Sequence, residues 1–190
     1  MSHRFSSRAI RPRSKALARG CVGLIAVAML CSACLVPPYP KDPRFATFTY
    51  ETDEEVKVQE RVDSFNGRIP KLGATEGHVV VARFRDGSWI PAPDYQYWVT
   101  GVATVPDTTT TLLVDNSAGD SSLLPGIHPI LYKYVPEECS FTTVDPTVAN
   151  TILGTNQNDI YSEWGSFTIT KFAVSADCNL IIVTGDGINA

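Results

Sequence analysis

The sequence predicts a mainly β fold: a single domain built as a β-sandwich or partly open barrel, with one or two short helices. Three observations predict it. About eight short runs rich in Val, Ile, Thr and aromatic residues recur between turn signals. Pro and Gly, 13 of each, punctuate those runs too often for long helices. Only two segments carry helix start and stop signals together.

The first element is an address. Residues 1–20 hold Arg4, Arg8, Arg11, Arg13, Lys15 and Arg19, and no acidic residue precedes Cys34. Residues 21–30 follow as an uncharged apolar run, then small residues at Ser32 and Ala33. A basic segment, a short apolar core and a small-residue site form the plan of a secretory signal over residues 1–33. The core is shorter than the ~20 residues a spanning helix needs. No adjacent arginine pair precedes it, so a twin-arginine route has no support.

Cys31-Ser32-Ala33-Cys34 resembles a bacterial lipobox, although Leu is usual where Cys31 stands. The resemblance implies lipidation of Cys34: a diacylglyceryl thioether on its sulfur and an acyl chain, such as palmitate, on its new amino group. It also implies anchoring outside the cytoplasmic membrane. In a Gram-negative cell, Leu35 beside the cysteine implies sorting to the outer membrane. Ordinary cleavage after Ala33 stays open, as does a CxxC pair at Cys31 and Cys34. Residues 34–44, with four prolines among residues 35–44, read as a stiff tether ahead of a domain at 45–190.

Removing residues 1–33 changes the charge. That segment holds six of the 16 Lys and Arg and none of the 20 Asp and Glu, so the remainder carries a formal charge of −10. An acidic chain without basic clusters argues against nucleic acid and against electrostatic binding to anionic lipid. Of the five cysteines, Cys139 and Cys178 are left over. In an oxidising compartment they are expected to bond, closing a loop of about 40 residues and stabilising the fold by roughly 4 kcal/mol; two buried thiols are the alternative.

Within the domain, strands are expected at residues 45–50, 78–84, 95–105, 108–114, 128–135, 140–144, 167–174 and 180–184. Asp86-Gly87 suits a hairpin turn after residues 78–84. In the seventh run, Phe167, Ile169 and Lys171 share one face by period two, and Thr168, Thr170 and Phe172 the other. Thr52 to Glu55 offers a capping box for a helix along Val58, Val62 and Phe65, stopped at Asn66-Gly67. Asp145-Pro146 caps and starts a second, running to Leu153 and ended by Gly154.

Motifs for catalysis are sparse. H-E-x-x-H, G-x-S-x-G, P-loop and dinucleotide glycine patterns are absent from the sequence. His78 and His128 are the histidines beyond the signal, each at the edge of an expected strand. They read as exposed structural residues, and a hydrolase triad assembled in space around either is the rival reading. Residues 115–120 fail the calcium-loop pattern because Gly119 and Gly126 fall where it needs other residues; like residues 154–159, they read as a polar loop. No metal or cofactor is expected.

Trp89, Tyr95, Tyr97 and Trp98 are candidates for a ligand platform, because aromatic faces stack on sugar or peptide surfaces. They equally suit a core, with Tyr95 and Tyr97 on one strand face and Trp98 on the other. Asn66-Gly67-Arg68-Ile69-Pro70, Gly73-Ala74, Gly77, Val79-Val80-Val81-Ala82-Arg83, Asp86-Gly87 and Ile90-Pro91 resemble one repeat of the tandem β-repeat mannose-binding lectins. The resemblance spans residues 66–91 and implies a β-rich carbohydrate binder. Where that family continues Pro-Gly-Lys, this chain has Pro91-Ala92-Pro93, and no binding residue is carried over. The expectation is therefore a lipid-anchored binding or envelope-assembly protein, with an envelope glycan or protein as partner.

Overall fold

A computed structural model describes residues 41–85, 94–117, 119, 123–157 and 159–189. The expected export signal, Cys34, the start of the expected tether, the expected turn at Asp86-Gly87 and Trp89 lie outside them. The described chain is mainly β. Six strands, β1 (Gln59–Glu60), β2 (Glu76–Arg83), β3 (Tyr95–Thr104), β4 (Thr142–Val144), β5 (Ser166–Ser175) and β6 (Leu180–Asn189), form one antiparallel sheet. Their order is β1-β2-β3-β6-β5-β4. β2 pairs with β3 and β5 with β6 as sequence neighbours; the join of β3 to β6 brings the two hairpins into one sheet.

Both faces of this sheet are covered. On one, Val79, Val99, Phe167, Ile169, Phe172 and Val183 pack under three helices: α1 (Asp63–Arg68), α2 (Asp107–Val114) and α3 (Pro146–Leu153). On the other, Val80, Trp98, Val102 and Ile182 pack under Phe45, Ile127, Leu131 and Phe141. The second β-layer expected of a sandwich is thus replaced by helices on one face and by extended and 3₁₀ segments on the other. Covering both faces is why β3 is buried continuously from Tyr97 to Ala103, where a half-exposed strand would alternate.

α3 is built as the sequence reads. The Asp145 carboxylate accepts from the Thr147 N–H at 2.8 Å, Pro146 supplies the first helical φ, and Gly154 ends the helix at φ 76°. Elsewhere tertiary contact overrides the local signal. Residues 45–50 form no strand beyond a single bridge from Phe45 to Leu124, because their rings lie across Trp98 and Phe84. Four threonines favour a strand at 108–111, yet they sit in α2, where Leu113 and Thr110 face the core. Pro106 starts that helix by accepting from the Thr109 and Thr110 N–H groups. Residues 129–134 form a 3₁₀ helix started by Pro129 and capped by His128. The first expected helix shrinks to α1, which runs through Asn66-Gly67 instead of stopping there.

β5 breaks its own alternation. The register with β6 shifts between Ile169 and Lys171, so Thr170 is a β-bulge. Phe172 and Val174 then join Phe167 and Ile169 on the helix face, and Lys171 does not share it as period two expects.

The expected disulfide is present. Cys139 and Cys178 are bonded with a Cα–Cα distance of 5.8 Å across a separation of 39 residues. Cys178 lies in the β5–β6 turn, where Asn179 adopts φ 54°. Nearby Asp177 accepts from the Ser175 hydroxyl and from the Ser140 N–H, adding two hydrogen bonds around the staple.

Candidate functional site

Strand alternation separates three of the four platform candidates. Tyr95 and Tyr97 point to the helix face at the start of β3, while Trp98 points to the other. Trp98 is fully buried between Phe48, 5.3 Å away edge to face, and His128, whose ring is parallel at 6.2 Å. It belongs to the core. Tyr97 is also buried, and its hydroxyl reaches the Trp164 and Ser166 carbonyls at 2.8 Å each. Tyr95 remains 36% exposed. Trp89 lies outside the described residues. One exposed ring with one buried ring beneath it is what remains of the platform.

Around these two rings the fold gathers arginines. Arg83 stands opposite Tyr97 in the β2–β3 register, so it shares the helix face. Its guanidinium lies 4.2 Å from the Tyr95 ring centroid. Arg68, in the last turn of α1, lies 5.1 Å from the Tyr97 ring and 4.9 Å from that of Trp164. Its Nη1 donates to the Ser64 carbonyl at 3.0 Å and hydroxyl at 2.7 Å. Arg61 extends the row, 5.8 Å from Trp164 and paired with Asp63 at 2.6 Å. The result is a row of cations and rings: Arg61, Trp164, Arg68, Tyr97, Tyr95, Arg83. Each cation–ring contact is worth about 0.5–1 kcal/mol at an exposed site.

A cavity of 180 Å³ opens along this row, lined by Arg68, Arg83, Tyr95, Tyr97, Glu54 and Asn189 with the strand residues between them. Glu54 accepts from the Arg83 backbone N–H at 3.1 Å, and its other oxygen stays 3.8 Å from the Arg83 guanidinium. Chemically the cavity offers guanidinium donors, an amide, a ring to stack on and one carboxylate. Burial pushes the Tyr97 hydroxyl above its ordinary pKa, offset in part by the Arg68 charge. Tyr97 therefore stays protonated at neutral pH.

Sequence reasoning missed Arg68, Arg83 and Trp164. Arg83 pairs with Tyr97 in a register centred on residue 90, whereas a tight turn at Asp86-Gly87 would have set it opposite Ile90, so the turn signal concealed the pairing. Trp164 depends on Gly67, since a Cβ there would collide with the indole. That glycine reads as a helix stop, which hid Arg68 behind it.

The two histidines serve packing. The His78 ring stacks on Tyr134 at 3.6 Å, with Nε2 3.8 Å from Glu60, beyond hydrogen-bond reach. His128 is buried, against the expectation of exposure. Its Nδ1 accepts from the Ile130 N–H, its backbone N–H donates to the Thr100 hydroxyl, and burial holds its pKa below the usual histidine value.

A second polar group forms at the Thr170 bulge. The Tyr50 hydroxyl lies 3.1 Å from the Thr170 hydroxyl and donates to Asp186 at 3.4 Å; Thr170 donates to the Thr184 carbonyl at 3.0 Å. Burial raises the pKa of Asp186, and the Tyr50 hydrogen bond lowers it in part. Among the described residues, no group of three or more His, Cys, Asp or Glu could hold a metal ion, and no helix is long and apolar enough to cross a membrane. No known family model, curated protein or solved structure matches the chain.

Proposed function

We propose that the chain is an extracytoplasmic binding or envelope-assembly lipoprotein, held to a membrane by lipid on Cys34 and taking a carbohydrate at the Tyr95 cavity. The observation that carries the ligand reading is the exposed Tyr95 ring, bracketed by Arg83 and backed by Tyr97 beside an open cavity. Sugars present apolar ring faces to aromatics and hydroxyls to guanidinium and amide donors. The export signal, the lipobox-like site and the Cys139–Cys178 bond support the address. The hydrolase reading draws no support from either histidine, since His128 is occupied as a buried cap and His78 stacks on Tyr134.

Two measurements test this. Native protein extracted from membranes should have the mass of residues 34–190 plus acyl chains; a bare chain of that length would remove the anchor. Full-length protein should retain envelope glycan in a pull-down, and Tyr95→Ala should lower retention about tenfold, as expected for loss of one stacking contact. The exposed position makes the thermal midpoint insensitive to this change. Retention unaltered by Tyr95→Ala would sink the assigned cavity.

A further inference from the structure

We infer that Asn66-Gly67 is a fold-gated deamidation site: the native fold clamps the Asn66 amide and blocks the reaction, while a chain that stays unfolded reacts there and loses the clamp. It is the one Asn-Gly pair in the chain. The reaction is intramolecular. The Gly67 backbone nitrogen attacks Asn66 Cγ, so a C–N bond forms, the Cγ–Nδ2 bond breaks, and Nδ2 leaves as ammonia with the proton of the Gly67 nitrogen. Water then opens the cyclic imide at one carbonyl or the other, which gives aspartate or isoaspartate. No oxidant or reductant takes part.

The first ground is the chemistry of the pair. The attack needs the backbone nitrogen of residue 67 to swing onto the side chain of residue 66. Glycine has no Cβ to shield that nitrogen, and its freedom in φ and ψ lets an unfolded chain reach the necessary geometry. Any bulkier residue at 67 would hinder the approach.

The second ground is the native geometry, which opposes that approach three times over. The Asn66 amide is held at both ends by one residue: Nδ2 donates to the Ala74 carbonyl at 3.0 Å, and Oδ1 accepts from the Ala74 N–H at 2.8 Å. Both members of the pair lie inside α1, where the Asn66 N–H donates to the Val62 carbonyl at 2.9 Å. A helical backbone aims the N–H of residue 67 along the axis toward the preceding turn, away from the side chain of residue 66. The Trp164 indole lies close enough to Gly67 that even a Cβ would collide with it, so the glycine has no room to swing.

The third ground is what the product would do. An ionised carboxylate accepts hydrogen bonds and donates none. It could still take the Ala74 N–H, but its other oxygen would face the Ala74 carbonyl, acceptor against acceptor, where the amide had donated. Ala74 is buried just ahead of β2, so the clamp ties α1 to the chain entering the sheet. Isoaspartate adds a carbon to the main chain inside α1. That displaces Gly67 from under Trp164, and Arg68 from the Tyr97 and Trp164 rings. A chain that reacts while unfolded therefore carries a lasting defect into α1.

The test ages the full-length protein in mildly alkaline buffer, native in one sample and unfolded in urea in the other, with the disulfide intact in both. Proteolysis and peptide mass spectrometry then follow the amide at residue 66 separately from every other Asn. Asn66 should deamidate at least about tenfold more slowly in the native sample, because reaction there waits on opening of α1. A smaller difference between the samples overturns the gate. Asn66→Asp, made genetically, isolates the product from ageing elsewhere in the chain. Its urea midpoint should fall below that of the unsubstituted protein; an equal midpoint overturns the claim that the reaction removes the clamp.

Discussion

Asp186 pairs with Trp98 across β3 and β6, on the face covered by the N-terminal extended segment. Its carboxyl is partly buried, and burial is the larger influence on its pKa, raising it from the ordinary 3.8. A carboxyl with a raised folded-state pKa favours folding most below its unfolded value. That contribution is lost as pH rises through the folded pKa. Asp186→Asn should therefore raise the thermal midpoint at pH 7, and the gain should vanish below about pH 3.8. Melting curves for both proteins from acid to neutral pH provide the comparison. His128 acts in the opposite sense: its pKa is lowered by burial from 6.5, so its stabilisation is present above that value and lost as pH falls through the folded pKa. The residue types here were visible in the sequence, but their burial was not. The expected strand ends at residue 184, whereas β6 continues through Asp186 to Asn189.

α1 and the sheet beneath it show how an element is seated by missing atoms. A Cβ on Gly77 or on Gly101 would run into the Phe65 ring. These glycines lie on neighbouring strands, near each other in the β2–β3 register, and Phe65 fills the space above both. Gly101→Ala should cost about 1–3 kcal/mol by overpacking. The double variant Gly101→Ala/Phe65→Leu should lose less than the sum of its single changes, because a smaller side chain relieves the clash. Urea denaturation of the four proteins measures the coupling; strict additivity would show that the ring does not press on that glycine. Where local chemistry agreed with packing, as at Asp145-Pro146 and Gly154, the element was legible. Where β-branched threonines met a core-facing Leu113, docking outweighed propensity. The bulge at Thr170 leaves no trace in a period-two reading, since one inserted residue preserves composition while exchanging faces.

The described residues are held by a sheet with both faces covered and by the Cys139–Cys178 link. The disulfide joins the segment before β4 to the turn between β5 and β6. In the chain-entropy model, closing its loop stabilises the fold by about 4 kcal/mol. A Cys139→Ser/Cys178→Ser protein should therefore lose roughly that much in chemical denaturation. A loss below about 1 kcal/mol would mean that the unfolded chain is already compact there. Substituting both residues avoids the separate effects of one unpaired thiol.

Length, cysteine count and the rhythm of short β-rich runs determined a mainly β domain with a Cys139–Cys178 bond, because composition and redox chemistry act along the chain. They also marked the Tyr95–Trp98 region and put Trp98 on the face away from Tyr97, because strand alternation is local. Tertiary structure decided that the second layer is helical on one side and irregular on the other, and that Arg68 and Trp164 meet at Tyr97 while Arg83 meets Tyr95. Those residues are distant in sequence and gather through strand register and a glycine, Gly67, that leaves room for a ring. Such effects depend on which surfaces meet, and contact across a sheet has no signature within a single run of residues.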